Sequence, residues 1–88
     1  MKIVVAKPTD AQVAEMRQCP IWEKEAGVFD WTYEEAETCY VIEGAARVRM
    51  PDGGEVAFGV GDLVTFPRGL TCIWEITRGL RKHYRFDQ

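Results

Sequence analysis

Apolar residues recur along the chain at two different periods, and the change between them falls at Pro20. Ile3-Val4-Val5 is a short apolar run ended by Pro8, which predicts a brief strand. Thr9, with Gln12 three residues on, has the signature of a capping box, so a helix should start there with Val13 and Met16 on one face. The residue before a proline is disfavoured in helical conformation, so this helix should end by Cys19.

From Ile21 onward the period is two, with turn residues every 8 to 12 positions or so, as in all-β sandwiches and barrels. In Val28–Tyr33, Phe29, Trp31 and Tyr33 share one parity while Asp30 and Thr32 take the other. Glu37–Glu43 is a strand stopped by Gly44, and Ala45–Met50 sets Ala46, Val48 and Met50 against Arg47 and Arg49. Pro51-Asp52-Gly53-Gly54 predicts a hairpin, since glycine supplies the positive φ of a tight turn. Glu55–Phe58, Leu63–Phe66, Leu70–Ile76 and Leu80–Phe86 complete the strands, separated by turns at 59–62, 67–69 and 77–79. The expectation is an all-β fold with one short N-terminal helix. Residues 1–20 form a strand and helix packed on a barrel of residues 21–88.

Composition changes this picture little. The 88 residues suit one small domain, and 47% apolar with 28% charged residues is ordinary for a globular chain. With no apolar run of membrane-spanning length and no signal-peptide pattern, the expectation is a cytoplasmic protein with no membrane partner. The net charge of −3 lacks the basic surplus of a phosphate-backbone binder, so no nucleic-acid partner is expected. Arg78, Arg81, Lys82 and Arg85 do cluster near the end, and read as the solvated face of a last strand rather than an anion site. Cys19, Cys39 and Cys72 are odd in number and irregularly spaced, which favours reduced thiols over a disulfide framework. His83 is the sole histidine.

Two spacings carry more specific information. One is W-x-Y-x3-E-x6-G, through Trp31, Tyr33, Glu37 and Gly44; the other is G-x5-P-x-G-x2-C, through Gly61, Pro67, Gly69 and Cys72. With these the chain resembles the cupin family, whose motifs read G-x5-H-x-H-x3,4-E-x6-G and G-x5-P-x-G-x2-H-x3-N. Pro20–Glu23, Phe29–Tyr33, Glu37–Gly44, Gly61–Gly69, Cys72–Trp74 and Arg81–Tyr84 resemble the small single-domain branch related to the ureidoglycine aminohydrolase cupin domain. The resemblance covers residues 21 to 86 and implies a small jelly-roll barrel. It leaves function open, because a fold of this kind hosts many chemistries.

Where metal-binding cupins carry histidines, this chain has Trp31, Tyr33 and Cys72, with Ile76 at the asparagine position, so Glu37 alone remains of the usual ligands. No cofactor is therefore expected; a metal held by Glu37, Cys39 and Cys72 is the alternative. In the cupin register, alternation turns Trp31, Tyr33, Glu37, Cys39, Cys72, Trp74 and Lys82 toward the interior, and these are the candidate ligand-binding residues. Lys82 lies on an otherwise apolar stripe and needs a counter-charge, for which Glu37 is the natural partner.

That pair either fills the space of the missing metal or works as an acid/base or orienting couple. Glu37, Lys82, Tyr33 and Cys72 are the catalytic candidates, although Cys72 lacks a base by type because the parity of His83 turns it outward, to the surface. Three functions follow. The chain binds a small polar molecule such as a sugar, an amine or a ureido compound; or it is a metal-dependent enzyme like ureidoglycine aminohydrolase; or it is an accessory cupin with a filled barrel. A homodimer is expected from the resemblance, with Arg47, Arg49 and the N-terminal strand as contributors.

Overall fold

The structure, a computed structural model, describes residues 2–87, so Met1 and Gln88 at the limits of the two expected segments lie outside the described residues. In chain order the elements are β1 (Val4–Ala6), α1 (Asp10–Met16), β2 (Ile21–Lys24), β3 (Gly27–Thr32), β4 (Ala36–Arg49), β5 (Glu55–Gly59), β6 (Leu63–Phe66) and β7 (Thr71–Asp87). All strand pairs are antiparallel. Among the described residues no helix is long and apolar enough to cross a membrane.

The helix begins as its sequence dictates. The Gln12 N–H donates to Thr9 Oγ1 at 3.2 Å, and the Thr9 N–H donates to Gln12 Oε1 at 2.9 Å, completing the capping box. Met16 is the buried anchor of α1 against the barrel, while Val13 is half-buried.

The architecture is organised by two long strands. The first part of β4 pairs with β6 and the second part with β5, while β7 runs beside β4 along both parts. Likewise β7 pairs with β3 through Thr71–Ile76 and with β2 through Leu80–His83. One sheet therefore reads β1-β6-β4-β7-β2, and it bends into a second layer of β5, β4, β7 and β3. This is the all-β barrel expected from the period-2 pattern, in the small jelly-roll form that the cupin resemblance implies.

The sequence reading of Gly44 as a stop and of Thr77-Arg78-Gly79 as a turn is corrected here. Both strands continue through those positions, and the register shifts between Val41 and Ala46 mark a bulged corner instead. Gly44 has φ +83°, and a Cβ there would lie 2.1 Å from the Gly79 carbonyl oxygen, so only glycine lets the two bending strands approach. The hairpin at 51–54 is as expected, with Gly53 at φ +91° and its N–H donating to the Met50 carbonyl at 3.0 Å.

The interior is aliphatic toward the corner, with Val41, Ala46, Val48, Ile76 and Leu80 buried, and aromatic beyond it around Phe58, Phe66 and Trp74. That aromatic part borders the candidate site.

Candidate functional site

Alternation along β4 and β7 sends Glu37 and Lys82 to the same interior. There Lys82 Nζ donates to Glu37 Oε2 at 2.8 Å, with both side chains 6% exposed. Pairing is what physics requires, since either charge alone would cost several kcal/mol to bury. The ammonium is also held by π faces, 4.9 Å from the ring centres of both Trp22 and Trp74 and 5.9 Å from that of Phe66. The cross-strand pairs explain this placement: Trp22 lies opposite Lys82 between β2 and β7, and Glu37 opposite Phe66 between β4 and β6.

The pair borders a cavity of about 140 Å³, comparable to engineered cavities that admit benzene. Trp22, Phe29 and Trp74 wall one side of it. Phe29 stacks on Trp74 with ring centres 6.0 Å apart and planes at 10°. Tyr33 stacks on Phe66 at 4.7 Å, and its hydroxyl accepts from the Trp74 indole N–H at 3.1 Å. The Tyr33 hydrogen is thereby left to donate. Burial, and next the charge of Glu37, raise the Tyr33 phenol well above its ordinary range, so it remains a neutral donor. Trp31, Tyr84 and Phe86 complete the lining, and an open groove past Trp31 and Phe86 leads to Glu34, Glu35 and Arg68.

The residues expected at the site fall into three groups. Tyr33, Glu37, Trp74 and Lys82 converge on the cavity as alternation required. Trp31 lines it from the mouth and is 45% exposed, a correction to its interior assignment; among the described residues β3 pairs with β7 alone, as an edge strand of the barrel. Cys39 and Cys72 are buried but do not line the cavity. Cys72 Sγ turns to the Trp31 carbonyl at 3.7 Å, and burial pushes its thiol up to about 11. Burial likewise pushes Cys39 up to about 12, against the opposing pull of Lys82. Thiols raised in this way are poor nucleophiles and poor metal ligands at neutral pH.

Among the described residues no group of three or more His, Cys, Asp and Glu side chains is placed to hold a metal ion. The residues at the metal-binding positions of cupins do not fit one. Two are aromatic, Cys72 faces a carbonyl, and the sole carboxylate, Glu37, already binds an ammonium.

His83 is corrected as well. Its parity does turn it away from the barrel interior, but it is only 8% exposed, because the segment after α1 crosses that face and the Cys19 carbonyl accepts from His83 Nδ1 at 2.9 Å. The C-terminal basic cluster forms no patch: Lys82 is interior, Arg81 meets Glu23 at 3.0 Å and Glu43 at 3.3 Å, and Arg85 meets Glu15 and Asp87. Sequence reasoning missed Trp22, Phe29, Tyr84 and Phe86 as lining. Phe29 shares the parity of Trp31 and Tyr33, and Tyr84 and Phe86 share that of Lys82, so the signal was available.

Comparison with known proteins places this geometry. The EutQ-like cupin domain matches residues 11–84. A DUF861-family protein from Thermotoga maritima is 43% identical, with a TM-score of 0.93 over 98% of this chain and 100% of that one. The EutQ protein of Clostridium difficile is 30% identical with a TM-score of 0.67, matching 73% of this chain and 50% of its own length. A putative ethanolamine utilization protein Q from Salmonella typhimurium, 20% identical over 93% of this chain and 66% of that one, shares the fold with a TM-score of 0.66. No curated protein matches the chain.

Proposed function

The chain belongs to the EutQ-like cupin family, and on that premise we propose that its cavity binds a small polar molecule with a flat or apolar face, such as a sugar, an amine or a ureido compound. The observation that carries this reading is the buried Lys82–Glu37 pair at 2.8 Å bordering an aromatic-walled cavity of about 140 Å³. The aromatic walls take the ligand's apolar face. The Tyr33 hydroxyl donates to an acceptor on the ligand, and Glu37 and Lys82 supply one acceptor and one donor of opposite charge. A ligand of that kind exploits what a packed core would waste, since a filled barrel needs no ion pair.

Ammonia release from a ureido compound, which the resemblance to the ureidoglycine aminohydrolase branch implies, is the rival reading; the ligand set described above does not fit its metal. A thermal-shift screen with sugars, amines including ethanolamine, and ureido acids tests the proposal. Stabilisation by one class, lost in the Trp74→Leu variant, is the expected result. No stabilisation by any class would contradict it and favour the filled-barrel role.

A further inference from the structure

Lys82 differs from the other lysines of the chain. Lys2, Lys7 and Lys24 are exposed to water, whereas Lys82 is buried at the wall of an aromatic-lined cavity with a carboxylate at 2.8 Å. We propose that Lys82 is a nucleophile that condenses with small aldehydes or ketones in this cavity to give an imine, with Glu37 as its proton acceptor and donor. The inference rests on the cavity being a ligand site.

The step balances with the groups present. The Lys82 ammonium passes one proton to Glu37 across their hydrogen bond, and the free amine attacks the carbonyl carbon to form a carbinolamine. The second proton of the nitrogen moves to the carbinolamine oxygen, and protonated Glu37 returns its proton so that the hydroxyl leaves as water. Carbon–oxygen bonds are replaced by a carbon–nitrogen double bond, with no oxidant or reductant. The product iminium keeps the positive charge that the ammonium had. It therefore keeps the Glu37 ion pair and the Trp22 and Trp74 faces at 4.9 Å, so the cage that stabilises the reactant stabilises the product. Tyr33, raised by burial and thus neutral, lines the same cavity and has its hydrogen free to donate to the carbonyl oxygen as negative charge develops there.

The test uses the whole protein with benzaldehyde and borohydride, followed by peptide mapping of the benzylated lysines. Lys82 should carry about ten times the label of Lys2, Lys7 or Lys24 at limiting reagent. Anthracene-9-carbaldehyde, too large for the cavity, should label only those three. Thermal stabilisation by benzyl alcohol, which fills the same space but cannot condense, reads binding separately from chemistry. Stabilisation by the alcohol with no excess label at Lys82 would overturn the nucleophile and leave the binding site standing. The absence of both would overturn the two together. Wild-type protein suffices for every arm, so a variant that fails to fold does not blunt the result.

Discussion

Two regions of this molecule hold opposite charges together, and they do so under opposite conditions. Inside the barrel, Lys82 and Glu37 meet at 2.8 Å with both side chains 6% exposed, beneath indole rings. On the outer face of β4 and β7, Arg47 meets Glu75 at 2.9 Å with side chains 47% and 33% exposed, and Glu55 and Arg49 stand nearby. The outer pair has the better fork geometry, because two guanidinium nitrogens reach two carboxylate oxygens. The inner pair nevertheless matters more. Water screens the outer charges whether or not they touch, whereas the inner charges are shielded from it and depend on each other as counter-charges. Burial, not geometry, separates a pair that structures a site from one that decorates a surface.

The largest effect comes from breaking the inner pair on one side. Glu37→Gln should lower stability by about 3–5 kcal/mol, measured by urea unfolding, because Lys82 is left as an uncompensated buried charge. A loss below about 1 kcal/mol would mean that water already reaches the pair. Replacing both partners, as Glu37→Gln with Lys82→Met, should recover much of that loss, since no uncompensated charge is then left buried. Tyr33→Phe should cost about 0.5–1.5 kcal/mol, the worth of the bond accepted from Trp74. At the outer pair, Arg47→Ala should leave the urea midpoint unchanged within error at moderate salt.

The same contrast sets the pH dependence. Inside, burial raises Cys39 from 9.0 to about 12 and Cys72 from 9.0 to about 11, and raises Tyr33 too. Above about pH 9 the unfolded chain therefore releases protons that the folded chain keeps, and stability should fall as pH rises through the window between those values. Cys39→Ala should shift that alkaline limb upward. Outside, the hydrogen bond from Arg47 holds Glu75 below its usual value of 4.5. Burial pushes Asp62 up, but the bonds from Lys7 and from the Gly59 N–H outweigh it and hold it below 3.8. The stability these carboxylates add is complete above those values and fades as pH falls through the lowered folded ones. Unfolding midpoints from pH 2 to 11 or so should show both limbs.

Much of this was legible in the chain, and the misses share a cause. Period two placed the strands, and the capping box placed the helix. Parity also put Glu37 and Lys82 on one interior although 45 residues separate them. Parity reports which face a residue takes, but not what covers that face. Trp31 took the expected face and remained half-exposed, because β3 is an edge. His83 took the outward face and was buried by the segment carrying Cys19. Cys39 and Cys72 took the inner face and are buried, but at positions outside the cavity lining. Gly44 reads as a breaker by composition, yet here it is the point where a long strand bends past Gly79. Which aromatics line a cavity depends on depth along each strand, and a one-dimensional period does not encode depth.

The central claim is that the buried couple serves a ligand rather than merely occupying space. Titration calorimetry with the most stabilising compound of the thermal-shift screen tests it directly, comparing the wild type with the Glu37→Gln, Lys82→Met double variant. One ligand bound per chain, with affinity at least about tenfold weaker in the double variant, is the outcome expected for a lost charge-assisted contact. Equal affinity in the two proteins would contradict the claim and return Lys82 and Glu37 to the role of filling.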